Sequence, residues 1–196
     1  PVATPTPLHP LLCHDDSSGR SKLLFDLSSH TFSPRYSTRS DNGEIRSLLD
    51  ELSTPATFPP VYRMTVTCDS LPQWSITIER RISTTCATFN KFPEVASWAD
   101  APITAYDVLA AIYRAFHDHV SSGEWGKLAR DERQRVLDAY MCRCRRYAGT
   151  HWFHAVGGIR RVDCLRTRCM FGGLIGQSIQ GGVAYMKLVV REKTAS

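Results

Sequence analysis

Between residues 61 and 80 apolar and polar positions alternate twice. Val61-Tyr62-Arg63-Met64-Thr65-Val66-Thr67-Cys68 is rich in β-branched residues. Trp74-Ser75-Ile76-Thr77-Ile78-Glu79-Arg80 sets Trp74, Ile76 and Ile78 on one face and Ser75, Thr77 and Glu79 on the other. With Asp69-Ser70-Leu71-Pro72-Gln73 between them, the two stretches predict an antiparallel hairpin with one dry and one wet face. From residue 104 the period lengthens. Thr104-Ala105-Tyr106-Asp107 has the form of a capping box, and Val108, Leu109, Ile112, Tyr113 and Phe116 follow as one helical stripe. Ser121-Ser122-Gly123-Glu124 is a second box, opening a stretch that carries Trp125 and Leu128. Val136, Leu137 and Tyr140 continue a helix to about residue 147, after a break near Ala129.

The flanks are less regular. Residues 1–22 read as a tail whose Leu11 and Leu12 dock on the domain, 23–27 as a strand, 28–43 as an exposed loop and 44–51 as a short helix. Residues 83–102 read as a loop, with Pro93 and Pro102 bounding the apolar Val95 and Trp98. Beyond the helices, Gly157-Gly158 predicts a turn and 159–165 a strand. Met170-Phe171-Gly172-Gly173-Leu174-Ile175-Gly176 is too rich in glycine for a regular central strand, so a bulge or bend is expected there. Gly181-Gly182 turns the chain into a last strand over 183–190. Strands, then helices, then strands give an α+β fold: a mainly antiparallel sheet of about five strands packed on two or three helices, with the helical block between the hairpin and the C-terminal strands. The expected organisation is a partly docked tail, 1–22, and a single domain, 23–192.

Composition adds bounds. The chain has 196 residues, 42% hydrophobic and 22% charged, which suits one globular domain. No apolar run approaches the roughly 18 residues needed to cross a bilayer. No leader is read at the start, although one already removed would leave the same picture. Seven cysteines without the spacing of a small secreted scaffold favour reduced thiols, hence cytoplasm or nucleus, with secretion kept open.

Several segments in order are familiar: Leu24-Phe25-Asp26-Leu27, Ala56-Thr57-Phe58-Pro59-Pro60-Val61, Trp74-Ser75-Ile76, Thr104-Ala105-Tyr106-Asp107-Val108-Leu109, Glu124-Trp125, Ala139-Tyr140 with Arg143, Arg160-Arg161-Val162-Asp163-Cys164-Leu165, and Phe171-Gly172-Gly173-Leu174. Over roughly residues 8–190 the chain resembles an uncharacterised domain family abundant in mushroom-forming fungi, a domain of unknown function. The resemblance implies a fungal source and one domain. It brings no activity and no site residues.

The most informative chemistry is basic crowding. From Lys127 to Arg168 there are eleven Lys or Arg against four Asp or Glu, within a chain of net charge +5. Ten of the eleven are arginine, whose planar fork suits phosphate and carboxylate. Arg143, Arg145, Arg146, Arg160, Arg161, Arg166 and Arg168 are therefore the candidate anion-binding residues, brought onto one surface if the helix ending near 147 lies antiparallel to the strand at 159–165. The competing reading is a set of solvated faces with local ion pairs, Asp163 taking a nearby arginine. The implied partner is an acidic protein or a phosphorylated or other anionic ligand. Nucleic acid is disfavoured, since zinc-finger, RNP-type and basic-zipper patterns are all missing.

Other chemistry is poorly supported. His151 and His154, with Cys142, Cys144, Cys164 and Cys169, do not have the spacing of a zinc unit, so neither metal nor cofactor is expected. Cys13-His14-Asp15-Asp16 has the residue types of a triad but sits in the tail, and no nucleophile elbow occurs. Cys144, Cys164 and Cys169 have arginine neighbours that would activate a thiol. A non-enzymatic binding module is the leading expectation. The alternatives are a small-molecule-binding protein or enzyme with a pocket between sheet and helices lined by Trp74, Tyr113, Phe116 and Tyr140, and a secreted fungal effector-like protein.

Overall fold

The computed structural model describes residues 7–15, 21–36, 48–79, 101–147 and 157–193. Two strands, β1 (Leu23–Leu24) and β2 (Arg35–Tyr36), pair antiparallel as a small ribbon, and α1 (Leu48–Leu52) follows. The hairpin is formed by β3 (Arg63–Cys68) and β4 (Ile76–Glu79). Three helices come next: α2 (Ala105–His117), α3 (Ser122–Lys127) and α4 (Arg130–Tyr147). After a 3-10 helix (Arg161–Leu165), β5 (Met170–Gln180) and β6 (Val183–Arg191) close the chain. The main sheet has the order β4-β3-β6-β5.

Alternation explains the sheet's inner face. Met64, Val66 and Cys68 of β3 are buried and lie opposite Ala184, Met186 and Leu188 of β6, which are also buried. The hairpin faces follow the expected assignment: Ile78 is buried, whereas Ser75, Thr77 and Glu79 are exposed. Against this face lies α2, contributing Ala105, Val108, Leu109, Ile112 and Phe116. Both foreseen capping boxes form. Thr104 accepts the Asp107 N–H at 3.1 Å while Asp107 takes the Thr104 N–H at 3.0 Å, and Ser121 and Glu124 do the same for α3. Leu128 caps α3, which places the break before α4 where the sequence puts it.

Two expectations are corrected, and a third is met as far as the described residues reach. The sheet has four strands rather than about five, because 23–27 is extended only at Leu23–Leu24. The Asp26 carboxylate accepts both the N–H and the hydroxyl of Ser28, at 2.8 and 2.6 Å, and this side-chain turn ends the strand. Residues 159–165 do not form a strand: Arg161–Leu165 is a 3-10 helix. Its buried residues Val162 and Leu165 are three apart, the period at which 3-10 side chains share a face, and Asp163 accepts the Arg160 N–H at 2.9 Å to start the turn. The helix expected over 44–51 is present as Leu48–Leu52, and 44–47 lie outside the described residues. The mainly antiparallel sheet also contains a parallel pair, β3 with β6.

The glycine segment behaves as an irregular strand. Pairing between β5 and β6 shifts register between Phe171 and Gly173 and again between Gly176 and Ser178. At the hairpin tip Gly181 and Gly182 both have positive φ, +56° and +78°, as a two-residue turn of this hand requires. The N-terminal segment completes this side of the sheet: Leu11 and Leu12 are buried, and Cys13 bridges Leu174 in parallel.

Candidate functional site

Helix α4 is polar along most of its length, and among its described side chains only Val136 and Arg143 are buried. Its face at residues 135, 138, 139, 142, 143 and 146, spaced by helical steps of three and four, forms one wall of a cleft of about 680 Å³. The opposite wall comes from Val162, Asp163, Arg166 and Thr167, with Cys169, Ser28 and Lys193 completing it. Five cations line it (Arg135, Arg143, Arg146, Arg166 and Lys193) and two carboxylates, Asp138 and Asp163.

Arg143 is not a free arm of this cleft. It is 5% exposed, and it donates from Nε to Oδ1 of Asp163 at 2.7 Å and from Nη2 to Oδ2 at 2.8 Å. Nη2 also reaches the Gly158 carbonyl at 3.2 Å, and Oδ2 takes the Arg160 N–H as well. Burial would pull the Arg143 pKa down, but the Asp163 carboxylate reverses this, and the pKa stands above the ordinary value. The pair joins α4 to the 3-10 helix across 20 residues. Asp163 thus takes an arginine, but one 20 residues away rather than the local partner of the competing reading.

The rim cations pair nearer the surface, on partly exposed side chains. Arg146 donates to Ser28 Oγ at 3.2 Å and stands 3.8 Å from Asp26. Arg166 meets Glu132 through one contact of 3.4 Å, Arg135 pairs with Asp131 on its own helix, and Lys193 donates to Asp26 at 2.6 Å. Burial pushes the Asp26 carboxyl up, yet the bonds from Lys193 and Ser28 outweigh it and leave the pKa lowered.

Of the seven predicted arginines, Arg143, Arg146 and Arg166 meet in this cleft. Arg145 is exposed on α4 and does not line it, and Arg160 is half-buried beside the 3-10 helix. Arg161 turns toward a different cluster, 5.1 Å over the Trp74 ring, 3.2 Å from Asp118 and 3.6 Å from Glu124. Arg168 lines a second cleft of about 880 Å³ with Trp74, Glu124, Lys127 and Cys164. Two of the cleft's cations, Arg135 and Lys193, were missed in the sequence. Arg135 was legible, being eight residues before Arg143 on the same helical face. Lys193 carries no local signal, since its position depends on where β6 ends.

These clefts do not bring together the aromatic residues offered as an alternative site. Phe116 is buried, and Tyr113 packs with Phe25, Phe32 and His117 and donates its hydroxyl to Ser29 O at 3.0 Å. Trp74 lines the second cleft, and Tyr140 a third of about 390 Å³ between α3 and α4. Two of the three thiols are not activated by their arginine neighbours: burial raises Cys169 and pushes Cys164 to about 11. His151, His154 and Cys86 lie outside the described residues. Among the described residues no helix is long and apolar enough to cross a membrane.

Glu124 ties the second cleft to the fold. Its carboxylate accepts the Ser121 N–H and hydroxyl, both at 2.7 Å, and the Trp74 indole N–H. The Ser121 bonds, with Trp74 after them, bring its pKa down to about 2. A carboxyl lowered on folding stabilises above its unfolded value, and that contribution fades as pH falls from about 4.5 to about 2. Glu124→Gln is expected to lower stability at pH 7 and to flatten this acid limb in urea titrations. An unchanged slope in the Glu124→Gln variant would show that the carboxylate has no such role.

Residues 23–184 match the family of unknown function DUF6699, and the chain belongs to it. No curated protein and no solved structure matches the chain.

Proposed function

We propose, for this member of a family to which no activity is assigned, a non-enzymatic binding module that takes an anionic group in the cleft beside α4. One observation carries the reading: Arg146, Arg166, Arg135 and Lys193 surround a cleft of about 680 Å³ built on the buried Arg143–Asp163 pair. The rim ion pairs of Arg146 and Arg166 are single contacts of 3.4 to 3.8 Å on partly exposed side chains. Such pairs contribute about 0–1 kcal/mol, whereas a phosphate or carboxylate gripped by two guanidinium forks makes charge-assisted bonds about twice as strong as neutral ones. An incoming anion therefore competes well for these arginines. Ala139 and Val162 give the same cleft apolar surface, which suits an acidic side chain or a phosphorylated residue on a protein partner. A cytoplasmic or nuclear setting in a fungal cell belongs to this reading.

Inorganic pyrophosphate is the probe. It is expected to raise the melting temperature of the native chain, less so at high salt. In the double variant Arg146→Gln/Arg166→Gln its affinity should fall at least tenfold. Arg143 is left intact because its loss would unfold the site. Equal pyrophosphate binding by native and double-variant protein would dispose of the proposal.

A further inference from the structure

Residues 56–62 leave the core and return to it within one short loop. Ala56 is fully buried and Val61 is 6% exposed, yet Phe58 between them is 76% exposed and Tyr62, just after, 50%. Pro59 and Pro60 are exposed as well. The loop is pinned on both sides. The Phe58 N–H donates to Pro7 O at 2.9 Å and the His9 N–H to Ala56 O at 2.9 Å, while the Ile103 N–H holds Val61 O at 2.9 Å. Within the loop the Thr57 hydroxyl donates to Pro59 O at 2.8 Å. The two aromatic rings and two prolines are thus held out in water by bonds that fix their backbone.

A lone exposed aromatic ring needs no explanation, but two of them bracketing a proline pair form a recognisable surface. Prolines have φ fixed near −65°, so little conformational entropy remains to be lost when they dock. Grooves lined by aromatic side chains recognise such segments, and a tyrosine adds an apolar ring with a polar tip. The order of residues here is Pro59-Pro60-Val61-Tyr62. Val61 is the one member turned into the fold, so the two proline rings and the tyrosine ring remain on the accessible side.

We infer that this loop is a docking element for a second protein, one bearing the aromatic-lined groove of a WW-type proline-recognising domain. The inference rests on the loop alone and is independent of the cleft beside α4. The test titrates the full chain with an isolated WW domain that selects Pro-Pro-x-Tyr ligands, followed by calorimetry. Binding is expected, with Pro60→Ala and Tyr62→Ala each weakening it at least tenfold. Leu49→Ser, which alters an exposed apolar residue on α1, should leave it unchanged. Melting curves accompany each variant; if Pro60→Ala loosens the loop, Tyr62→Ala decides, because half of that side chain is already in solvent. Failure of the native chain to bind, equal binding by the Tyr62→Ala variant, or preference for an SH3 domain would each overturn the inference.

Discussion

Replacing Arg143 by Met is expected to cost about 3–5 kcal/mol of stability, the range for leaving one member of a buried ion pair without its partner. For a chain of this size that corresponds to a fall of roughly 10 °C in melting temperature. The reason lies in what Asp163 becomes. At 3% exposure, it would keep the Arg160 N–H but lose both guanidinium bonds, leaving most of its charge desolvated without compensation. Arg143→Lys should not rescue, since an ammonium cannot span both carboxylate oxygens and the Gly158 carbonyl as the planar fork does. The Arg143→Met/Asp163→Leu double variant is expected to lose much less than the two single changes together, because it removes both charges; the residual loss reports the orphaned Arg160 N–H. Calorimetric or urea unfolding of the four proteins checks this. Simple additivity would show that the two side chains do not act as a pair. Hydrogen exchange should show α4 losing protection before the sheet does, because this pair is its buried link to the 3-10 helix.

The second large effect is at Gly173. Its φ is +109°, a conformation that side-chain-bearing residues rarely adopt, and a Cβ there would stand 2.6 Å from the backbone N and Cα of His14. Neither contact can be relieved by a rotamer change. The N-terminal segment must move, giving up the bonds from His14 N–H to Leu174 O at 3.0 Å and from Leu174 N–H to Leu12 O at 2.6 Å. Leu12 is fully buried, so its undocking alone exposes a side chain whose burial contributes about 1.5–3 kcal/mol. Gly173→Ala is therefore expected to destabilise by about 3–5 kcal/mol and to make the peptide bonds around residue 12 open to protease. Gly126→Ala supplies the contrast. Nothing lies within 4 Å of a Cβ at that α3 position, and the change should stabilise by about 0.5–1 kcal/mol through helix propensity. Opposite signs from the same chemical change, read in urea unfolding, would establish that the tight approach of two backbones at residue 173 matters. A harmless Gly173→Ala would rule it out.

Local signals carried far in this protein. The two capping boxes, the alternating hairpin, the Gly181-Gly182 turn and the irregular glycine strand depend on residues within a few positions of one another, so the sequence contains the interactions that form them. The missed 3-10 helix is instructive. Ile159, Val162, Cys164 and Leu165 give residues 159–165 enough apolar positions to read as a strand, but Asp163 accepts the Arg160 N–H to close a turn, and its other bonds come from an arginine 20 residues away. The early strand expected over 23–27 stops at Leu24 for a local reason that was readable, the Asp26–Ser28 turn.

The charge question divided differently. Counting residues found the arginine-rich stretch and named Arg143 and Arg146 but passed over Arg135, although spacing along a helix fixes angle about its axis and sets all three on one side of α4. What each guanidinium does was decided by the path of the rest of the chain. Arg143 is buried against Asp163, Arg161 lies on Trp74, Arg166 faces Glu132, and Lys193 arrives from the far end of β6. Desolvation and the distance to a countercharge depend on position in space, and only the folded chain supplies them. The same holds for where Leu11 and Leu12 dock, although their docking itself was expected from the sequence, and for the parallel pairing of β3 with β6, where partners more than a hundred residues apart meet.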